Sequence, residues 1–272
     1  MAIIIKTEKE LELMREAGVC MSKVHSFVET LIRPGISTYD LDQEIEAYIR
    51  SLGCIPTEKG YEGYPASICA SVNNVVVHGI PRKDIILKEG DIISVDITLA
   101  KNGYQSDACR TLPVGKVSEE AERLMRVTKE SFFKATQQAY VGNHLFDISA
   151  AMDEYVIKNG YSTVRDLTGH GIGKDMHEDP MVPCYKQKRR GPKLVHGMTI
   201  CIEPMVNQGT WELYYSNDDE NWTLETADGR LSSHYENTIA ITNEGPEILT
   251  LTEGEEIPEF FKNDLLINKH MQ

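Results

Sequence analysis

Four acids and one histidine stand in surroundings that could support chemistry: Asp96, Asp107, Glu203, Glu236 and the histidine of Gly169-His170-Gly171-Ile172-Gly173. Asn102-Gly103 is a strong two-residue hairpin turn and fixes how the flanking strands pair. With Lys101 facing Tyr104, Thr98 faces Asp107 and Asp96 faces Cys109. Asp96 and Asp107 then sit diagonally on one face, with backbones about 7–8 Å apart, close enough for carboxylates to share an ion. Acids so placed repel one another unless a cation sits between them. Taken alone, the pair reads equally well as surface acids, since antiparallel sheets often have a wet face.

Glu203 ends the stretch Thr199-Ile200-Cys201-Ile202-Glu203, in which Ile200 and Ile202 take one face and the acid the other. Glu236 lies in His234-Tyr235-Glu236-Asn237-Thr238-Ile239. If two halves of the chain pack about a twofold axis, two acid-bearing hairpins face each other and the four carboxylates converge on one cavity. Such a cluster could not stay ionised in a partly buried site without compensation. Two divalent cations would balance it and leave room for a bridging hydroxide activated by both. A lone histidine is more often structural than a ligand. Beside four acids, His170 reads as the nitrogen donor, because imidazole suits first-row transition metals and its glycine neighbours let the backbone approach closely.

The elements that must position these residues repeat. Leu13-Met14-Arg15 is followed by Gly35, Asp40 and Gly53, and Leu124-Met125-Arg126 by Gly142, Asp147 and Gly160, with the same glycine-to-aspartate and aspartate-to-glycine steps in both halves. Leu87-Lys-Glu-Gly90 leads to Asp96 as Leu194-Val-His-Gly197 leads to Glu203, which makes Glu203 the counterpart of Asp96. The repeat predicts one catalytic domain over 1–272, with halves at about 7–115 and 118–250 and a tail at about 253–272. Helix starts are readable at the Thr7-x-x-Glu10 capping box, at Ser37-x-x-Asp40 and at Ser118-Glu119-Glu120. From Asp91 to Leu99, Ile93, Val95, Ile97 and Leu99 share one face and Ser94, Asp96 and Thr98 the other. The fold class is α+β, helices packed on a curved, mainly antiparallel sheet.

Taken together, Asp96, Asp107, Gly169-His170-Gly171-Ile172-Gly173, His177-Glu178, Ile202-Glu203-Pro204 and Tyr235-Glu236-Asn237-Thr238 resemble the type I methionine aminopeptidases of the pita-bread fold, over residues from about 3 to about 260. The resemblance implies removal of the N-terminal initiator methionine from nascent proteins when the second residue is small, by dinuclear-metal-activated hydroxide attack on the first peptide bond. It implies Asp96, Asp107, His170, Glu203 and Glu236 as metal ligands, with Asp107 and Glu236 bridging and Glu203 carrying protons. His78 and His177 match the histidines that contact substrate at the scissile amide, and Tyr61, Tyr64 and Cys69 match the side-chain pocket, to which Trp222 adds a wall. Two positions depart from many bacterial relatives: Met176 replaces phenylalanine in the pocket, and Glu58 replaces a frequent cysteine. The ligand set suits Co²⁺, Mn²⁺, Fe²⁺, Ni²⁺ or Zn²⁺ without choosing between them. Proline dipeptidases and aminopeptidases P resemble the chain in the same five ligands but carry a large extra N-terminal domain, whereas here the repeat begins almost at once.

Composition narrows the remaining classes. At 272 residues and 41% hydrophobic the chain can build a sizeable core. Its apolar runs fall far short of the ~20 residues a membrane span needs. There is no secretory leader, so the expected location is the cytoplasm. Six dispersed cysteines without a C-x-x-C pair predict free thiols. A net charge of −14 opposes affinity for free DNA. Lys186, Lys188, Arg189, Arg190 and Lys193 concentrate positive charge in eight residues, while the loop where close relatives are basic is acidic, Asp218-Asp219-Glu220. The basic cluster reads as a solvated surface or as a ribosome contact, on a chain expected to act as a monomer.

Overall fold

The computed structural model describes residues 2–216 and 221–262 and the backbone of Leu266–Ile267. Thr7 opens α1 (Glu8–Leu31) through a complete capping box with Glu10, and Ser37 caps α2 (Thr38–Ser51) through Asp40 N. In the second half Ser118 caps α3 (Glu119–Thr136), and His144 precedes α4 (Leu145–Lys158). The Thr7, Ser37 and Ser118 side chains each satisfy an amide that the helix itself leaves without a partner. The matching glycines behave alike: Gly35 and Gly142 have φ of 92° and 94°, and Gly90 and Gly197 have 94° and 87°. All four take the left-handed conformation that glycine adopts at least cost.

The helices pack against a ten-stranded sheet whose strands, in chain order, are β1 (Ile55–Pro56), β2 (Cys69–Val72), β3 (Ile92–Lys101), β4 (Tyr104–Pro113), β5 (Thr168–Gly171), β6 (Glu178–Pro183), β7 (Thr199–Ile202), β8 (Glu236–Thr242), β9 (Gly245–Ile248) and β10 (Leu266–Ile267). The sheet order is β1-β3-β4-β8-β7-β5-β6, with β2 on β3 and β9 on β8; every pairing is antiparallel except β9 with β10. Asn102 and Gly103 turn β3 into β4 with φ of 52° and 82°, and the register is Lys101↔Tyr104, Thr98↔Asp107 and Asp96↔Cys109, as the turn predicts. Two small three-stranded sheets, 162–163 with 205–207 and 232–234, and 75–77 with 213–215 and 224–226, rim the main one.

The arrangement of the acids differs from two facing hairpins. β7 and β8 are neighbours (Asn237↔Ile202), but residues 203–235 run out through the rim sheets between them. β8 lies directly on β4, with Glu236 opposite Cys109. The four acid-bearing strands are therefore consecutive in one sheet, β3-β4-β8-β7, and the acids meet side by side rather than across a gap. The polar face of β3 is also not wet: Ser94 and Thr98 are buried.

Two apolar cores flank this sheet, one joining α1 and α2 to β3 through Met21, Ile45 and Val95, the other joining α3 and α4 to β7 and β8 through Phe132, Ile148 and Ile239. All six cysteines are buried free thiols. Among the described residues no helix is long and apolar enough to cross a membrane. The acidic Asp218-Asp219-Glu220 and most of the tail beyond 262 lie outside the described residues.

Candidate metal centre

Ligand atoms of Asp107, His170, Cys201 and Glu236 lie within 4.8 Å of one another; so do those of Glu203, His234 and Glu236, and those of Asp96, Cys109 and His234. Glu236 and His234 each belong to two of these groups, so the three form one continuous cluster. Nε2 of His170 is 3.6 Å from Oδ2 of Asp107 and 3.6 Å from Oε1 of Glu203, and Nε2 of His234 is 3.9 Å from an oxygen of Glu203 and of Glu236. These separations are too long for hydrogen bonds. The donors converge without bonding one another.

Several therefore lack any partner. Oδ1 of Asp96, Oε1 of Glu203, Oε1 of Glu236 and Nε2 of His234 are buried without a hydrogen bond. Each such group costs its full desolvation penalty unless something pairs with it. Burial, with repulsion from neighbouring acids, holds the carboxyls well above the ordinary range: Glu58 acts on Asp96, Glu236 and Asp96 on Asp107, Asp107 and Asp96 on Glu203, and Glu203 and Asp96 on Glu236. Divalent cations would relieve both problems together, so the residues fit a metal site. The two thiols in the cluster serve differently. Cys109 donates to His234 O at 3.8 Å, Cys201 lies 3.7 Å from the Thr238 hydroxyl, and burial pushes both thiols well above their usual value.

The strand carrying His170 is wedged against its neighbours: a Cβ on Gly169 would meet Cys201 O at 2.5 Å, and one on Gly171 would meet Asp179 O at 2.2 Å. Nδ1 of His170 lies 2.9 Å from Gly171 O, which makes it the N–H donor and leaves Nε2 as a lone pair among the acids. Burial lowers this imidazole to about 3, so it stays neutral.

The cluster floors a cavity of about 370 Å³ whose lining includes His78, His177, Tyr61, Tyr64, Cys69, Met176 and Trp222 as well as Asp96, Asp107, His170, Glu203 and Glu236. The twelve residues expected to bind metal or substrate thus line one cavity. Tyr61 OH lies 2.7 Å from Nδ1 of His177, whose ring stands edge-on to His170 with centroids 4.3 Å apart. Trp222 packs edge-on against Tyr64 (5.3 Å) and His78 (6.0 Å). His78 has φ of 55°, a conformation that costs energy in a residue with a Cβ. Burial, then the charge of His177, lowers His78 to about 4. Glu58 enters the same cavity, accepting from Thr98 Oγ1 at 2.8 Å, and burial raises its carboxyl to about 7.

Sequence reasoning missed His234. Its spacing, two residues before Glu236, was a signal, although His234 ends the rim strand 232–234 and Glu236 opens β8. Val77, Leu167 and Met205 also line the cavity and carried no local signal. A larger cavity, about 500 Å³, lies behind the sheet beside Arg110, Lys129 and Glu255, whose charges already pair with one another.

Clustered oxygen donors with imidazole, unpaired and opening into a cavity, define a metal-dependent hydrolase class of site. The chain belongs to metallopeptidase family M24, which it matches over residues 12–243. It is 54% identical over 251 residues to a methionine aminopeptidase of Clostridium acetobutylicum, covering 92% of this chain and all of that protein. It is 48% identical to methionine aminopeptidase 1 of Bacillus subtilis, covering 91% and 99%. The crystal structure of methionine aminopeptidase from Thermotoga maritima superposes with a TM-score of 0.89 at 40% identity, covering 92% and 100%.

Proposed function

We propose that this protein removes the N-terminal methionine from newly made polypeptides whose second residue is small. The observation that carries the reading is the set of partnerless buried oxygens of Asp96, Glu203 and Glu236 at the floor of a cavity walled by Tyr64, Cys69 and Trp222. Two divalent ions, with Asp96, Asp107, His170, Glu203 and Glu236 as ligands and Asp107 and Glu236 shared, would supply Lewis acidity and an activated water.

The chain's own groups do the rest. With cations offsetting the burial and the neighbouring acids that otherwise hold its proton on, Glu203 as a carboxylate can take a proton from the attacking water and pass it to the leaving amine. Tyr61 hydrogen-bonds Nδ1 of His177 at 2.7 Å; with the phenol as donor, Nε2–H of that ring is left to donate to the developing oxyanion. His78 lines the same cavity as His177 and is the group we assign to contact the substrate amide. Tyr64, Cys69, Met176 and Trp222 exclude water from the first side chain.

The setting we propose is the cytoplasm, with a monomer acting on emerging chains. Hydrolysis of Met-Ala-Ser, Leu-Ala-Ser and an X-Pro dipeptide by metal-reconstituted enzyme tests the reading. Preferred cleavage of Met-Ala-Ser is expected, and preferred cleavage of the X-Pro peptide defeats the proposal.

A further inference from the structure

Arg110 follows Cys109 on β4, so its side chain leaves the sheet on the face opposite Asp107 and Cys109. There its guanidinium reaches back to the metal-site strands. Nη1 donates to Glu236 O at 2.6 Å and to Cys109 O at 2.9 Å, and Nη2 donates to Asn237 Oδ1 at 2.8 Å and to Thr250 O at 3.2 Å. Nε donates to Glu255 Oε2 at 3.1 Å. Glu255 is fixed in turn by Lys129 at 2.9 Å and by the Tyr235 hydroxyl at 2.7 Å, and the guanidinium stacks 4.4 Å from the Tyr235 ring. The two paired side chains are 4% and 8% exposed.

The place of this bracket matters. β4 and β8 pair only at Glu236↔Cys109 and Asn237↔Ala108, so the seam that sets Glu236 beside Asp107 is two residue pairs long. At its Asp107 end the Thr238 hydroxyl ties the strands, accepting from Asp107 N at 3.0 Å and donating to Asp107 O at 2.9 Å. Arg110 spans the seam from behind with a planar fork of donors, a geometry lysine lacks. Its counter-charge comes from Glu255, beyond the residues 12–243 that match the family.

We infer that Arg110 and Glu255 are a positioning pair that fixes Glu236 relative to Asp107, making the segment around Glu255 part of the metal site's support. The inference rests on the reading of Asp107 and Glu236 as ligands. Its test is calorimetric titration of the stripped full chain with Mn²⁺, alongside thermal midpoints. Outer supports of metal ligands change affinity by roughly 10- to 100-fold when removed. Glu255→Gln and Arg110→Lys should therefore each weaken Mn²⁺ binding at least ~10-fold, and Glu255→Asp should recover most of it.

Glu247→Gln is the control. It breaks another buried pair, Arg15 with Glu247 at 2.8 Å, which touches no ligand residue. It should lower the midpoint comparably while leaving Mn²⁺ affinity unchanged. Unchanged affinity in Glu255→Gln and Arg110→Lys, or an equal loss in Glu247→Gln, overturns the inference while the metal site stands. A parent chain that does not bind Mn²⁺ overturns both readings.

Discussion

The phenol oxygen of Tyr61 lies 2.7 Å from Nδ1 of His177, so a residue expected to wall the side-chain pocket also holds the ring of a second cavity residue through a hydrogen bond. Tyr61→Phe keeps the ring and removes that bond. A hydrogen bond of this kind is worth about 1–1.5 kcal/mol, or about 5- to 10-fold in rate. We expect kcat for Met-Ala-Ser to fall by that factor with KM little changed. A raised KM at constant kcat would return Tyr61 to a purely pocket role.

Removing ligands should separate the two kinds of site residue. Chelation should abolish activity, and Asp107→Ala should do so even in excess metal, because a shared carboxylate serves both ions. Near-normal turnover in Asp107→Ala excludes the dinuclear reading. His177→Ala should keep its metal and lose kcat by roughly 10²-fold, the scale of one oxyanion donor. Metal content measured on the purified variant decides whether His177 contacts substrate or cation.

How much of this was legible in the sequence depended on distance along the chain. Asn102-Gly103 makes the β3–β4 register a local matter, so the diagonal of Asp96 and Asp107 followed from one turn. Helix starts at Thr7, Ser37 and Ser118 were legible for the same reason, each cap reaching an amide three residues on. The pairing of Glu203 and Glu236 was not, because 203–235 leaves the sheet between them and no turn specifies its return. The contact of Thr98 with Glu58, and the burial of a β3 face that looked wet, come from packing between distant segments. His234 is a different omission: its spacing from Glu236 was visible, but it lies on the rim strand 232–234 and meets Glu236 where the chain passes from that strand into β8.

Glu58 gives a pH dependence with a definite sign. Burial raises its carboxyl from 4.5 to about 7 in the metal-free fold. An acid whose pKa is raised on folding binds its proton more tightly in the native state, so its contribution is complete below about 4.5 and is lost as pH climbs through about 7. The four ligand carboxyls shift in the same direction and remain in both proteins compared. Urea midpoints of chelated parent and Glu58→Gln, followed from pH 4.5 to 7, should therefore fall less steeply in the variant. Parallel curves would show that Glu58 does not titrate in this window.

The basic segment is partly neutralised by its surroundings: Lys186 pairs with Glu154 at 2.7 Å and Arg190 with Asp147 at 2.6 Å. Among the described residues Lys188, Arg189 and Lys193 have no ion-pair partner, and the first two line a small surface groove with Phe146 and Tyr185. We expect the triple change of these residues to Gln to weaken co-sedimentation with ribosomes and to flatten its salt dependence, as loss of phosphate contacts does. Co-sedimentation unchanged at every salt concentration leaves the segment as solvated surface.

Specificity should follow from the slot formed by Tyr64, Cys69 and Trp222. Tyr64 is held by donating to Ile68 O and Gly79 O, both at 3.1 Å, and Trp222 stands edge-on to it, so the walls are fixed rather than adaptable. Aromatic faces and a thiol form a polarizable surface on which a thioether gains about 0.3–1.5 kcal/mol per contact. Met176, buried here, adds a flexible unbranched wall. A side chain branched at Cβ must push against the fixed rings, and leucine places its branch where methionine places a single sulfur. Apolar pockets separate such shapes by about 1–3 kcal/mol, so Met-Ala-Ser should exceed Leu-Ala-Ser by at least ~10-fold in kcat/KM. The carboxyl of Glu58, fixed by Thr98 in the same cavity, sets a limit on that preference, because a polar group beside a thioether forgoes an apolar contact. Glu58→Leu should raise kcat/KM for Met-Ala-Ser more than for Gln-Ala-Ser, whose amide can donate to the native carboxyl. Equal hydrolysis of the methionine and leucine peptides would refute the slot while leaving a metal-dependent aminopeptidase of broader specificity.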